Sequence, residues 1–302
     1  MATNTPNEDA ASLIFPNPLV YPPIIKHQQT FIILHGRGSV APEFGPHLLA
    51  MVASGGGTLL STFPHAKFIF PTAAVSRATI YKRAYTHQWF NNWHLEEYTK
   101  RQDLQIDGLR ASCAYIHELL RREIEIVGGE NVVLWGLSQG CATSLTALLT
   151  WDGKPFAATV GMCGWLPFSN LIEEIVRENE SGDDPFSHSG DDDEDTKDPL
   201  RLGSENSEID TRKQAVAFLR EHLDMNSEGD VFWDVPVFLG HGTEDEKVSV
   251  NLGREAKSCL DLVGVDVQMI EYEGLGHWYS QDMLRDIFQF LKKSLKIDKE
   301  IS

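Results

Sequence analysis

Six short stretches of this chain are mostly apolar on both faces: Phe31 to Leu34, Lys67 to Phe70, Val132 to Trp135, Ala157 to Cys163, Val235 to Leu239 and Val267 to Tyr272. A strand with one wet face alternates apolar and polar residues, so continuous apolarity calls for a sheet covered on both sides. Parallel strands joined by crossover helices provide that cover. Between the runs, Leu104, Leu109, Ile116, Leu119, Leu120, Ile124 and Val127 recur at helical spacing and stop at Gly128-Gly129. Lys247 to Leu262 and Ser280 to Leu295 carry the same period. The expected architecture is α/β, a mostly parallel doubly wound sheet with helices on both faces. With 302 residues, 42% of them hydrophobic, the chain can bury one large core. We expect a single domain over residues 26–297, preceded by a poorly ordered tail over 1–25.

Two departures interrupt this rhythm. Glu173 to Asp210 holds fifteen acidic and three basic residues, which accounts for most of the net charge of −18. Its centre, Ser181 to Asn206, has too few apolar residues to offset the entropy of ordering it and reads as a disordered insertion. A helix is expected to resume at Asp210. The acidic balance argues against a nucleic-acid partner, which would need a clustered basic face. Thr72 to Tyr98 has no clean period yet carries Tyr81, Tyr85, Trp89, Phe90 and Trp93, and reads as a lid or pocket wall above the sheet. No apolar stretch is long enough to span a bilayer. Residues 1–11 are small and polar, without a basic leader and apolar core. The four cysteines lie far apart, without the spacing of a zinc site or disulfide framework. These features give the expectation of a soluble cytoplasmic protein, with access to the nucleus, that does not insert stably in membranes.

The chemistry is carried by Gly136-Leu137-Ser138-Gln139-Gly140, which directly follows one apolar run and directly precedes a small-residue, helix-compatible stretch. A serine in a tight strand-to-helix turn needs glycines two positions away on either side, so that strand and helix can approach. The turn then lifts the hydroxyl clear of the sheet. A serine hydroxyl is a weak nucleophile, and requires a histidine to take its proton and an acid to hold that histidine. Of the histidines beyond Ser138, His188 lies in the acidic insertion, His222 in a helix and His241 at a strand end. His277, in Gly274-Leu275-Gly276-His277, occupies a glycine-rich loop beyond the last strand and is the candidate base. After the run ending at Leu239, Glu244, Asp245 and Glu246 compete for the acid. The shorter Asp245 is favoured, although it also suits the start of the next helix. Backbone N–H groups of Gln139 and Arg37, the latter in Leu34-His35-Gly36-Arg37-Gly38, are candidates for an oxyanion hole.

Taken in order, Leu34-His35-Gly36-Arg37-Gly38, Phe70-Pro71, Trp89-Phe90, Gly136-Leu137-Ser138-Gln139-Gly140, Gly164-Trp165-Leu166-Pro167, His241-Gly242 with Asp245 and Val248, and Gly276-His277 resemble the acyl-protein thioesterase and carboxylesterase family of α/β-hydrolases. The likeness runs from about Thr30 to Leu295. It implies an α/β-hydrolase fold, with Ser138 as nucleophile, Asp245 as the acid among the three carboxylates, His277 as base, and Arg37 and Gln139 at the oxyanion hole. It also implies cleavage of carboxylic esters, fatty-acyl thioesters on S-acylated proteins or lysophospholipids, without metal or cofactor. Ile80, Tyr81, Trp89, Trp165 and Leu166 are implied as acyl-pocket residues. The chain departs from the family's pattern at Ser39, where an Asp is usual, and in the acidic insertion. A general small-ester carboxylesterase is the competing enzymatic reading; a catalytically silent hydrolase fold that binds a basic partner is the non-enzymatic one.

Overall fold

A computed structural model describes residues 13–180, 204–226 and 231–297. Seven strands form the central sheet: β1 (Leu19–Tyr21), β2 (Gln29–Leu34), β3 (Ala66–Phe70), β6 (Val132–Leu137), β7 (Ala158–Met162), β8 (Val237–Gly242) and β9 (Val267–Tyr272). β4 (Val75–Ala78) and β5 (Ala84–His87) pair separately as an antiparallel hairpin. The sheet order is β1-β3-β2-β6-β7-β8-β9, parallel throughout except for β1, which runs antiparallel to β3 with Leu19 opposite Phe70 and Tyr21 opposite Phe68. All six expected strands are present.

The helices are α1 (Ala41–Ala50), α2 (Leu59–Thr62), α3 (Ile106–Val127), α4 (Gln139–Leu149), α5 (Ser169–Glu180), α6 (Ser204–His222), α7 (Val250–Leu262) and α8 (Gln281–Ser294). Alternate residues of the inner strands feed two cores. Ile32, Leu34, Leu134 and Leu239 pack toward α3, α4, α5, α6 and α7. Phe31, Ile33, Trp135 and Phe238 pack toward α1, α2 and α8. This double cover is why the strands read as unbroken apolar runs. Gly128, at φ 84°, ends α3 where the sequence places its stop, and its N–H bonds to Ile124 O at 2.9 Å.

Several expectations are corrected. Residues 13–25 are not a loose tail: β1 is paired into the sheet, and the Phe15 ring stacks on Tyr115 with centroids 4.4 Å apart. The helix expected from Asp210 begins at Ser204, so residues 204–206 of the acidic stretch already belong to α6; residues 181–203 lie outside the described residues. The helix expected from Lys247 begins at Val250 and is capped by the Ser249 hydroxyl, which accepts from the Asn251 N–H. Thr72 to Tyr98 is not irregular throughout, since it carries the β4–β5 hairpin.

Candidate active site

Ser138 occupies the one-residue turn between β6 and α4, with φ 56° and ψ −120°, a conformation that L-residues rarely adopt. Its N–H is held by Met162 O of the neighbouring strand at 2.8 Å. The flanking glycines are a matter of space. A Cβ on Gly136 would sit 2.2 Å from the Gly140 carbonyl group, and one on Gly140 would sit 2.5 Å from Leu34 O. Strand and helix touch backbone to backbone here, and the serine is forced outward.

The loop after β8 carries Asp245 with its side chain fully shielded from solvent. Its Oδ1 accepts two backbone bonds, from the N–H groups of Lys247 and Val248 at 2.9 Å each. Oδ2 lies 2.8 Å from Nδ1 of His277, in the loop between β9 and α8. His277 Nε2 in turn lies 3.0 Å from Ser138 Oγ. Asp245 accepts only from an Nδ1–H, so the Nε2 lone pair is left facing the serine hydroxyl, which donates to it. Burial works to raise the Asp245 pKa, but hydrogen bonds from His241, His277 and the Val248 amide outweigh it and hold the carboxyl well below the usual range. Glu244 and Glu246 make no contact with His277 of this kind. His277 reaches this position because its loop lies flat on Gly242, where a Cβ would fall 2.1 Å from Leu275 O.

The His35-Gly36-Arg37-Gly38 turn runs beside the serine, with Gly36 so placed that a Cβ would stand 3.4 Å from the Ser138 Cβ. Gly38 adopts φ 78°. The Gln139 N–H opens α4, in a first turn whose donors have no partner within the helix. The side chains of the two candidate oxyanion residues are both spent on the 72–98 connection. Gln139 accepts from the Trp89 N–H at 3.0 Å and donates to Phe90 O at 2.6 Å, and the Arg37 guanidinium donates to the Asn92 side chain. The Trp89 indole N–H closes the circuit by donating to His35 O at 2.8 Å. His35 holds the turn from beneath: its Nδ1–H donates to Gly36 O at 2.7 Å and its Nε2 accepts from the Ala73 N–H at 3.0 Å. Burial pushes its pKa down to about 4, so the ring is neutral, as these two bonds require.

A cavity of about 870 Å³ opens over Ser138 and His277. Ile80, Tyr81 and Trp165 line it, together with Phe44, Leu95 and Trp278, which sequence reasoning missed. Trp89 and Leu166 do not line it. Both are buried in the core behind it, Trp89 as the anchor just described. Ser39, Glu96 and Glu255 also face the cavity.

The sequence profile of the phospholipase/carboxylesterase family matches residues 16–212 and 216–295. The chain is similar to acyl-protein thioesterase 1 of Cryptococcus neoformans var. neoformans, at 29% identity over 284 residues, covering 89% of this chain and 94% of the relative. It is also similar to acyl-protein thioesterase 1 of Gibberella zeae (24% over 283 residues; 92% and 95%) and to carboxylesterase SOBER1 of Arabidopsis thaliana (24% over 271 residues; 89% and 92%). Among solved structures, Zea mays acyl-protein thioesterase 2 superposes with a TM-score of 0.62 at 20% identity, over 92% of this chain and 99% of that one. Arabidopsis thaliana SOBER1 does so with a TM-score of 0.61 at 22%, over 88% and 99%. Fold, strand-to-helix turn and profile therefore agree, and the chain belongs to the phospholipase/carboxylesterase family of α/β-hydrolases.

Proposed function

We propose that the chain hydrolyses carboxylic esters and thioesters through an acyl-Ser138 intermediate, with His277 as general base, Asp245 as its partner, and the Arg37 and Gln139 amides as oxyanion donors. The observation that carries this reading is the hydrogen-bonded line from Asp245 Oδ2 through His277 to Ser138 Oγ. Ser138 Oγ attacks the acyl carbon as its proton passes to His277 Nε2, and Asp245 stabilises the imidazolium through Nδ1–H. The carbonyl oxygen takes up the displaced electron pair beside the two amides. Collapse breaks the bond to the leaving alcohol or thiol, which receives the proton from Nε2. Water then repeats the sequence on the acyl-enzyme, releasing the acid and returning the proton to Ser138. No step calls for a cofactor.

The relatives named as acyl-protein thioesterases support an S-acylated protein as substrate, and the similar chain named as a carboxylesterase supports a small ester. Ile80, Tyr81 and Trp165 supply the apolar wall that either acyl group needs. The four buried free thiols, Cys113, Cys141, Cys163 and Cys259, suit a reducing, cytoplasmic setting. Among the described residues no helix is long and apolar enough to cross a membrane.

Labelling pure protein with a serine-reactive fluorophosphonate tests the site. A single adduct at Ser138, lost in Ser138→Ala together with about a million-fold of turnover, is the expected result; folded protein that does not label, or a variant that keeps its activity, would sink the assignment. Rates on short and long acyl chains, each as ester and thioester, then decide the substrate class. A thiolate leaves with less help from a proton than an alkoxide does, so thioester cleavage should tolerate His277 replacement better than ester cleavage.

A further inference from the structure

A second imidazole touches the acid of the candidate triad, and the proposed mechanism does not use it. His241, on β8, is 2% exposed, and its Nε2 lies 2.9 Å from Val248 O and 3.3 Å from Asp245 Oδ2. A carbonyl oxygen only accepts, so Nε2 carries the hydrogen, which bonds Val248 O and has Asp245 Oδ2 as the second oxygen within reach. The opposite ring nitrogen faces Gly253 of α7, where a Cβ would stand 2.5 Å from Nδ1. The ring is thus held between a strand, a helix and the acid loop. Asp245 in consequence has four N–H groups around it: two backbone amides bonded to Oδ1, the Nδ1–H of His277 bonded to Oδ2, and the His241 Nε2–H beside that same oxygen at 3.3 Å.

We propose that His241 is a positioning residue for hydrolysis. Its Nε2–H fixes the rotation of the Asp245 carboxylate and draws off part of the charge that Oδ2 presents to His277. The proposal rests on the triad reading above. Backbone donors hold only one end of the carboxylate; without His241, Oδ2 would be steered by His277 alone, the very group it is meant to orient. The other groups that face this pair are Cys163, at the end of β7 beside Asp245, and Cys141, which lines the small hollow behind His241. Glu271 stands opposite His241 on β9 and is paired with Arg254 of α7 at 2.6 Å. The thiols are held protonated by burial, at about 12 for Cys163. Glu271 is held ionised by Arg254. No neighbour therefore changes charge around neutral pH to imitate the effect of His241.

The test compares His241→Leu with His241→Gln. Glutamine places an amide nitrogen the same number of bonds from the backbone as Nε2, whereas leucine supplies no donor. In His241→Leu, kcat should fall about ten- to a hundredfold with KM unchanged, since a loosely held base costs rate rather than binding. The acid limb of its kcat/KM profile should move to higher pH, because a carboxylate with one donor fewer favours the protonated imidazole beside it. Fluorophosphonate labelling of Ser138 should slow in proportion, and His241→Gln should recover most of the rate and the original limb.

A folded His241→Leu protein with wild-type kcat and an unmoved limb would overturn the proposal, as would equal losses in the Leu and Gln variants. If the leucine variant does not fold, His241→Asn replaces it: asparagine puts its nitrogen at the Nδ1 place, so an Asn variant as active as the Gln variant would also overturn it. Wild-type protein that neither labels at Ser138 nor hydrolyses would remove the triad reading itself, and this proposal with it.

Discussion

Ser138 sits in a backbone conformation that its own side chain makes costly, at φ 56° and ψ −120°, and the surrounding contacts enforce it. Glycine accepts such angles freely. Ser138→Gly should therefore be about 1 kcal/mol more stable than Ser138→Ala, although both are inactive; paired urea titrations would show it, and equal midpoints would mean that the turn is unstrained. The sequence announced this residue because a tight turn demands specific neighbours. Chain order and loop composition point to His277 and to the loop that holds Asp245, whereas the choice of one carboxylate among three comes from the family resemblance, and the contact of Asp245 with His277 agrees with it. Trp89 and Leu166, expected in the pocket, lie in the core behind it, because residue type records that a side chain is apolar but not which cavity or core it faces. In the sequence His241 reads only as a strand-end histidine. Its contact with Asp245 depends on how the loop after β8 folds back, which no local pattern encodes.

At the scale of elements, the contact between β6 and α4 decides the site. All of α4 is buried, and it lies against the turn that follows β2 so closely that a Cβ on Gly140 would meet both Leu34 O and His35 O within 2.6 Å. Gly140→Ala should cost about 3 kcal/mol or more, since neither neighbour is a side chain that can rotate away. A melting temperature within a degree or two of wild type would show that the helix can slide. Five of the six expected strands are almost wholly buried and are readable because cover on both faces removes alternation, whereas β9, at the sheet's edge, has no fully buried residue. β1, β4 and β5 are not readable, being three or four residues long and largely half-exposed at an edge or in a hairpin, where the apolar signal is diluted. The start of α7 differs for another reason: Asp245 Oδ1 accepts from the Lys247 and Val248 N–H groups in a turn of its own, and the helix begins only after Ser249 supplies the next cap.

Across the whole molecule, two histidines buried on different elements set the acid limit. His35 beneath the oxyanion turn and His117 in α3, whose Nε2 lies 2.8 Å from Ala147 O, are each lowered by burial from 6.5 to about 4. Between those values the unfolded chain binds protons that the folded one refuses, so stability is full above pH 6.5 and declines as pH falls toward 4. Each ring contributes about 3 kcal/mol at most, a large part of an ordinary domain's margin. Asp245 is also depressed, but a lowered carboxyl gains stability when ionised, so its contribution is lost only as pH falls below the ordinary carboxylate range. Denaturant midpoints should therefore fall steadily from pH 6.5 to 4, and His117→Gln should flatten part of that slope. An unchanged midpoint over this interval would contradict it.

The first described stretch of chain also settles where the molecule can be cut. A polypeptide begun at residue 26, the boundary that composition suggested, would lack β1 and leave the main-chain donors and acceptors of β3 open along the rim of the sheet, a template for pairing with other copies. It would also strip Phe15 from Tyr115 and from Trp89, whose ring centroid lies 6.4 Å away, uncovering the indole that ties down the turn beside Ser138. Such a shortened chain should elute as aggregates in size-exclusion chromatography, where a chain begun at residue 13 elutes as a single species.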